Sequence, residues 1–412
     1  MNDPMIEVEL ESMAYGGSSL GHLEDGQVVL VPYTIPGERV QARVTGQKGR
    51  SLFAEGVTLI NSSVDRVFPR CPHFGPSKCG RCQWQHIDYP AQLLLKQDVL
   101  ADQLERIGGF ADADIRPTIP SPDVWGYNHH MTLYATGEGQ LGFAMAGQPN
   151  TLYPIDECHI LHPDLLALKD SLSLETMTGL QIITLQLDSA NDRMALLRMA
   201  NDEAPELHSD MAMSMNLLNE NDEPINLMGD LYASVTLGGR AFRVTAGSFF
   251  RPNLSQLDNL TAEVLQGLAL TGQQAVLDLY AGVGFFSAFI AGQARLVTLV
   301  DADPYAVNDA EINLPEEHID IIEGLVEEVL EDLDEHYDAA VVDPGEDGLS
   351  AATVDGLAAR RIPRIVYISG NPSTLARDGK RLAGKGYRLL YAQPIDLAPQ
   401  TFAVDTVAVF VL

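Results

Sequence analysis

Three cysteines stand close together in the segment CPHFGPSKCGRCQWQH, and a fourth lies much further along the chain. These are Cys71, Cys79 and Cys82, followed at a distance by Cys158 in YPIDECHI. A C-x2-C pair with a third cysteine upstream places three thiolates within reach of one metal centre, which Cys158 could complete. Four thiolates suit an iron–sulfur cluster or tetrahedral zinc, and the spacing alone does not decide between them. The remaining alternative is four separate, reduced core cysteines.

A second segment that could do chemistry is VLDLYAGVGFF, which reads as an apolar strand, a Gly-x-Gly turn and a helix start. Gly282 and Gly284 let the backbone pass close to a ligand, as in dinucleotide sites. Ser287 stands at the third glycine position of that fingerprint, which disfavours a tight fit to a pyrophosphate. S-adenosylmethionine (SAM) has no phosphate: Asp278 could meet its ammonium group, and Asp301 is spaced to accept its ribose hydroxyls. A nicotinamide dinucleotide site or an empty α/β turn is the alternative.

The elements around the glycine turn alternate between apolar strands and helical lengths from about residue 246 onward. The predicted strands are Ala275–Leu279, Leu296–Val300, Ile319–Ile322, Ala339–Val342, Ile365–Ile368, Tyr387–Tyr391 and Thr406–Leu412. Buried strands separated by helices predict an α/β domain with a doubly wound sheet.

The N-terminal region has a different pattern. Residues 5–60 contain short, closely spaced strands broken by Gly and Pro, which predict a small closed barrel of the oligonucleotide-binding kind. The cations left on this barrel to contact phosphate are Arg39, Arg43, Lys48 and Arg50.

The chain of 412 residues is too long for one core, and we predict three domains: 1–68, the barrel; 69–245, a central α+β domain with the cysteines; and 246–412, the ligand-binding domain. Within the central domain, Ala91–Ile107 is predicted as a helix. The acid-rich stretch Asn201–Asp230 is predicted as an exposed helix and loop.

The net charge of −31 is unusual for a protein that grips phosphate, but it is unevenly spread. Residues 301–347 contain no Lys or Arg and are interpreted as a solvated face. Residues 360–388 are basic, and Arg377, Lys380 and Arg381 there either contact RNA or form a solvated helix face. With no apolar run of membrane-spanning length and no basic leader, we expect a cytoplasmic monomer without membrane contact.

Several motifs carry a resemblance to a known family. VPYTIPGERV resembles the P-G-E-x-V element of the TRAM domain, a small RNA-binding barrel. CPHFG…CGRCQWQH with a distant cysteine resembles the [4Fe–4S] segment of the ribosomal-RNA uracil-C5 (5-methyluridine) methyltransferases, and LDLYAGVGFFS resembles their D-L-Y-C/A-G-x-G motif. The resemblance implies a class I Rossmann-like SAM domain, a [4Fe–4S] cluster rather than zinc on all four cysteines, and a SAM contact at Tyr280. It also places Arg251 where the family has a SAM-binding Gln in S-F-F-Q-x-N.

The family's reactive groups are changed in this chain. In the family, a cysteine thiolate adds to C6 of uracil, and C5 then attacks the methyl group. D-P-P-R-x-G is here DPGEDG, beginning at Asp343, with Glu346 replacing the Arg. S-C-N-P is here SGNP, with Gly370 in the place of the cysteine. P-Q-T-x-H-x-E is here PQTFAVD, with Asp405 in the place of the Glu base.

These departures lead to one hypothesis and two alternatives. We expect a SAM-binding RNA methyltransferase homologue, with Asp343 and Asp405 at its catalytic positions, that has lost uracil-C5 methylation. The first alternative is an active methyltransferase that modifies a nitrogen or oxygen nucleophile of RNA or protein. The second is a non-catalytic protein that binds partners through the acidic face at residues 301–347.

Overall fold

The computed structural model describes residues 4–136, 140–172, 179–200 and 212–412. In this part of the chain, an N-terminal barrel, a central sheet and a C-terminal α/β sheet follow one another in sequence. No helix among these residues is both long and apolar enough to cross a membrane.

The N-terminal residues form five strands: β1 (Met5–Met13), β2 (Ser18–His22), β3 (Val28–Pro32), β4 (Arg39–Lys48) and β5 (Ser51–Asn61). They close into a barrel in the order β1-β2-β3-β5-β4. Alternate side chains point inward, so that Val, Leu and Ala residues fill a small core. The predicted closed barrel is confirmed.

Glu38 attaches the barrel to the segment that follows it. Its side chain is fully buried, and it accepts hydrogen bonds from Arg66 Nε (2.6 Å) and Nη2 (2.7 Å) as well as from the Ile35 amide (2.9 Å). Because a buried charge without a partner is costly, this pair holds the start of the cysteine segment against the barrel.

The cysteine segment leads into helix α1 (Tyr89–Gln103), which has a proline in its first turn. The helix continues as a π-helical turn over Leu104–Gly108. The predicted helix Ala91–Ile107 is therefore confirmed in position, although it begins two residues earlier and changes its hydrogen-bond pattern near its end.

The central sheet contains seven strands among the described residues: β6 (His130–Ala135), β7 (Leu141–Met145), β8 (Gln148–Pro154), β9 (Leu180–Leu187), β10 (Arg193–Met199), β11 (Ser214–Leu218) and β12 (Pro224–Met228). Their order is β12-β11-β10-β9-β6-β7-β8, and helix α2 (Pro163–Ser171) packs on β9.

The exposed helix and loop predicted for Asn201–Asp230 is wrong for the part that forms β11 and β12; residues 201–211 lie outside the described residues. Asn219 explains the turn, because its side-chain oxygen accepts hydrogen bonds from the amides of Asn221 and Glu223, both at 2.9 Å. Met215 and Leu217 are buried, a pattern that the acid-rich composition concealed.

The C-terminal region begins with a hairpin, β13 (Tyr232–Leu237) and β14 (Arg240–Thr245). The strands that follow are β15 (Ala275–Leu279), β16 (Leu296–Asp301), β17 (Ile319–Glu323), β18 (Ala339–Val342), β19 (Arg364–Ser369), β20 (Arg388–Ile395) and β21 (Asp405–Val411). The helices are α3 (Leu257–Leu268), α4 (Phe285–Ile290), α5 (Pro304–Asn313), α6 (Val326–Asp332), α7 (Ala351–Ala359) and α8 (Pro372–Gly384). All seven predicted strands are confirmed, with ends shifted by a few residues.

The sheet order is β17-β16-β15-β18-β19-β21-β20, with β15 to β19 parallel and β21 antiparallel to both neighbours. The chain runs outward from β15 to β17 and then returns to β18 on the other side of β15. This reversal opens a crevice at the carboxyl end of β15, the usual ligand position in doubly wound sheets.

Candidate transfer pocket and cysteine cavity

The chain turns sharply after β15, where Tyr280, Gly282 and Gly284 all have positive φ angles (59°, 54° and 81°). At Gly284 a Cβ atom would lie 2.6 Å from the Leu314 side chain, so this position requires glycine. At Gly282 no atom lies within 4 Å of such a Cβ, which leaves space for a ligand beside the backbone.

A pocket of about 480 Å³ opens beside this turn, and we call it the transfer pocket. It is lined by residues 249–253, Leu257, residues 280–283, Phe285, Phe286, residues 343–346, Gly370, Leu397, Ala398 and Asp405. It thus brings together, from segments far apart in sequence, seven positions that the sequence pointed to: Arg251, Tyr280, Gly282, Asp343, Glu346, Gly370 and Asp405.

Asp301 and Gly284 are not among the residues that line the pocket. The carboxylate of Asp301 accepts hydrogen bonds from the amides of Gly282 (2.7 Å) and Asp303 (2.9 Å). It therefore holds the glycine turn in place. A carboxylate has about four acceptor positions, so capacity for further donors remains.

Asp278 lies behind the pocket and is fully buried. Ser287, at the third position of the glycine fingerprint, donates a hydrogen bond from Oγ to Asp278 Oδ2 (2.7 Å), while Asp278 Oδ1 has no partner. Burial raises the pKa of Asp278 to about 7. The side chain is thus a buried acceptor with one unsatisfied oxygen.

Arg251 pairs with Asp343 across the pocket. Its Nη2 lies 2.7 Å from Asp343 Oδ1 and 2.8 Å from Oδ2. The guanidinium is 5.8 Å from the ring centroids of both Phe249 and Phe286. Aromatic faces and a carboxylate therefore fix the position of this cation.

Gly370 and Asp405 face each other at the far side of the pocket. A Cβ atom at Gly370 would lie 3.5 Å from Asp405 Oδ1, an ordinary van der Waals contact. Burial raises the pKa of Asp405 to about 6, although the nearby Arg251 and Lys96 oppose this effect. Neighbouring Ser369 is buried, and its hydroxyl donates to the Asn371 carbonyl oxygen (3.0 Å), so it does not substitute for a thiol in the pocket.

The loop that carries Asp405 is anchored by helix α1. Lys96 and Asp396 form a fully buried ion pair (2.6 Å), and Lys96 Nζ also donates to the carbonyl oxygens of Ala398 (3.1 Å) and Ala403 (2.7 Å). Lys96 was not predicted as a functional residue, although it is a single Lys inside the predicted helix Ala91–Ile107.

One turn earlier in α1, Gln92 reinforces the anchor. Its Nε2 donates to Gln400 Oε1 (3.1 Å), and its Oε1 accepts from the Gln400 amide (3.0 Å). The Gln400 carbonyl oxygen in turn accepts from the amides of Gln83 (3.2 Å) and Trp84 (3.0 Å). The loop before Asp405 is thus held by both α1 and the cysteine segment.

All four cysteines line a second, small cavity, and none lines the transfer pocket. Each is a free thiol, and burial raises the pKa of Cys82 to about 12 and that of Cys158 to about 11. Among the described residues, no three His, Cys, Asp or Glu side chains form a group that could hold a single metal ion. The cysteines therefore share one cavity without forming a compact single-ion site.

Of the cations predicted to contact RNA on the barrel, two are paired with carboxylates. Arg43 Nη2 lies 2.7 Å from Glu55 Oε2, and Arg39 pairs with Glu7. Lys48 is exposed. Exposed ion pairs are worth at most about 1 kcal/mol, so these arginines could be redirected to a phosphate.

The predicted cations of α8 have a structural role. Arg377 Nε (2.8 Å) and Arg381 Nη1 (3.1 Å) both contact Asp378 Oδ1, and Asp378 is fully buried. Arg381 also donates to the Leu349 carbonyl oxygen (3.3 Å), whereas Lys380 is exposed. The basic composition of this segment thus partly reflects the neutralisation of one buried acid.

Comparisons with known proteins agree with this architecture. Residues 5–57 match the TRAM domain, and residues 242–349 match the methyltransferase small domain. An "Uncharacterized RNA methyltransferase" of Streptomyces avermitilis is 31% identical over 98% of this chain and 97% of its own, and one of Streptomyces coelicolor is 32% identical over 98% and 92%. The crystal structure of the Pyrococcus abyssi tRNA (uracil-54, C5)-methyltransferase, in complex with S-adenosyl-L-homocysteine, superposes with a TM-score of 0.76 at 23% identity and covers 98% of this chain and 100% of that one.

The doubly wound sheet with a pocket at its switch point has the fold of the Rossmann-like SAM methyltransferases. Because the similarity to the Streptomyces proteins extends over nearly the whole chain and includes the N-terminal barrel, this protein belongs to the RNA methyltransferase family that carries a TRAM domain.

Proposed function

We propose that this protein binds SAM and RNA but does not methylate uracil at C5 by covalent catalysis. The observation that carries the proposal is Gly370 in the transfer pocket, at the position that corresponds by sequence to the nucleophilic cysteine of related enzymes. The described residues that line the pocket include no Cys, Ser, Thr or Lys, and the four cysteines lie at the other cavity.

The residues around the glycine turn support SAM binding. Open space at Gly282 lets a ligand lie against the backbone, and Asp301 retains acceptor capacity for ribose hydroxyls. The unsatisfied Asp278 Oδ1 would accept from an ammonium group, which would remove a buried unpartnered acceptor. When bound, SAM supplies the methyl group.

The missing thiolate has a chemical consequence. C5 of uracil is a poor nucleophile until a thiolate adds to C6, and glycine has no atom that can make this bond. The carboxylic acids that line the pocket with Gly370 are Asp343, Glu346 and Asp405. A carboxylate can hold or accept a proton, but it does not replace the thiolate as a nucleophile toward C6.

A test uses radiolabelled SAM and RNA from a strain that lacks this protein. We expect the native protein to bind SAM by calorimetry and to form no 5-methyluridine, as checked by chromatography of RNA digests. The Asp301→Ala variant should bind SAM at least about tenfold more weakly. The absence of binding heat with intact protein would refute the assignment of SAM as the cofactor. Formation of 5-methyluridine by the native protein would refute the proposed loss of uracil-C5 methylation.

A second candidate function is methyl transfer to a nitrogen or oxygen nucleophile. The observation in its favour is Asp405, whose raised pKa of about 6 suits a general base near neutral pH. A Cβ at Gly345 would meet no atom within 4 Å, so this glycine, like Gly370, leaves room for a substrate group in the pocket. Such a nucleophile needs orientation and proton removal, but no covalent catalyst.

This second function predicts a pH dependence. The base is active only when ionised, so methyl transfer should rise with pH through a midpoint near 6 and level off above it. The Asp405→Asn variant should lose this dependence together with most activity, whereas Glu346→Gln should keep the midpoint. No transfer of label to RNA or protein at any pH would leave only the non-catalytic form of the proposal.

We also propose that the four cysteines hold a [4Fe–4S] cluster. Their shared cavity and the resemblance of the cysteine segment support this. Anaerobically purified protein should contain iron and sulfide and show a broad visible absorbance band that is lost in Cys79→Ser. One zinc ion in place of iron would contradict the assignment.

A further inference from the structure

Besides the transfer pocket, we infer a second ligand site: a subsite for a neighbouring nucleotide of a single-stranded RNA, in a cavity between the cysteine segment and β7. This inference rests on the proposed RNA-binding function. The cavity has a volume of about 520 Å³ and shares Phe249, Phe250 and Pro252 with the transfer pocket. A strand with one base in the transfer pocket could therefore place the next nucleotide here.

The charge of the cavity differs from that of the rest of the protein. Its lining contains Arg81 and His130 and, among the described residues, no Asp or Glu, although the chain has 57 acids. Several other arginines, namely Arg39, Arg43, Arg66 and Arg251, pair with carboxylates. In the described part of the structure, Arg81 has no carboxylate partner; its guanidinium lies 5.9 Å from the Phe143 ring centroid. An exposed cation in an acid-free cavity fits a phosphate.

The backbone fixes the position of Arg81. The Gly80 amide donates to the Ala144 carbonyl oxygen (2.9 Å), and the Ala146 amide donates to the Lys78 carbonyl oxygen (2.8 Å), which attaches the cysteine segment to the end of β7. A Cβ at Gly80 would lie 2.9 Å from the Ala144 oxygen, so only glycine allows this approach. These bonds therefore fix the backbone of Arg81 beside the cavity.

The remaining lining suits a base rather than a second charge. Tyr134 is 40% exposed and Phe249 is 69% exposed. Large exposed aromatic rings beside a cation are the usual surface for stacked bases of a single strand. Arg81 also lines the cysteine cavity, so that one residue borders both the proposed cluster and the proposed nucleotide.

The test measures binding of a fluorescent single-stranded RNA of about ten nucleotides to the holoprotein at several salt concentrations. Arg81→Gln should weaken binding about tenfold and reduce the salt slope by about 0.7, the value for one phosphate on a single strand. Tyr134→Ala should weaken binding about tenfold with an unchanged slope. The matched control is Arg70→Gln, which removes the same charge next to Cys71 but does not line the cavity.

SAM affinity and iron content, measured on each variant, establish that the fold and the cysteine site are intact. If native protein binds the RNA and Arg81→Gln matches it in affinity and slope, the subsite is refuted while RNA binding stands. A loss as large in Arg70→Gln, or equal binding of a duplex of the same length, would also refute it. No RNA binding by native protein at low salt would instead refute the proposed function, and the subsite with it.

Discussion

The frame that holds the transfer pocket and the reactive positions inside it have opposite characters. The frame, which comprises helix α1 and the loop before Asp405, contains buried polar groups that bond to each other, such as the Lys96–Asp396 pair and Gln92 with Gln400. Removing one partner of such a pair should destabilise the fold. The proposed reactive positions carry small residues with few contacts: a Cβ at Gly345 would meet no atom within 4 Å, and one at Gly370 would make only an ordinary contact with Asp405. Substitutions at these positions cost the fold little, so the chemistry can change while the pocket persists.

The largest expected effect on stability comes from breaking the buried Lys96–Asp396 ion pair. Lys96→Met removes the partner of a fully buried carboxylate and should lower the free energy of unfolding by about 3–5 kcal/mol. Denaturant unfolding measures this loss. The double variant Lys96→Met/Asp396→Leu should recover part of it, because no charge is then left buried alone. A loss below about 0.5 kcal/mol, the size expected for exposed Lys380→Met, would contradict the assigned role of the pair.

Asp278 allows a test by pH. Burial raises its pKa to about 7 in the folded protein, from an ordinary value near 3.8. Between these values the folded state keeps a proton that the unfolded chain has lost, so stability falls as pH rises from about 4 to 7. The Asp278→Asn variant has no carboxyl group at this position and lacks this pH dependence, and both proteins are measured without SAM. The stability of native protein relative to the variant should therefore fall by a few kcal/mol over that range; a constant difference would show that the pKa is not raised.

Alanine substitutions at Gly348 and Gly370 compare the cost in stability of adding a Cβ at a crowded position and at an uncrowded one. Gly348 has a φ of 72°, and a Cβ there would lie 2.4 Å from Asp378 Oδ2, so Gly348→Ala should cost about 2 kcal/mol or more. Gly370→Ala should cost less than about 0.5 kcal/mol, because its Cβ has space. Thermal unfolding of both variants gives the comparison. Equal losses would mean that position 370 is constrained by packing.

The sequence predicted the parts of the fold that depend on local pattern. Apolar strands spaced by helices identified β15 to β21, and the glycine turn marked the switch point. The Asn201–Asp230 prediction failed because the acids Glu220, Asp222 and Glu223 lie in the turn between β11 and β12 and not on the strands. The strands themselves gave only the weaker apolar signal of buried Met215 and Leu217.

For the candidate site, too, the sequence predicted only the features that depend on local motifs. Motif positions pointed to several residues that line the transfer pocket, whereas the predicted cofactor residues Asp278, Gly284 and Asp301 lie outside its lining. The contacts that these residues make on folding were not predicted. Asp301 binds the glycine turn, Arg251 pairs with Asp343 over 92 residues of sequence, and Lys96 reaches Asp396 over 300. Pairings at such separations leave no local pattern, and only the tertiary structure brings them out.

RNA that contains 5-fluorouridine tests directly whether the transfer pocket lacks a nucleophile. A thiolate that adds to C6 would be trapped, because the fluorine at C5 cannot leave as the proton does. We expect that native protein with SAM forms no adduct that survives denaturing electrophoresis, and that the Gly370→Cys variant forms one. An adduct on the native protein, located by mass spectrometry of its peptides, would contradict the claim that this pocket lacks a nucleophile.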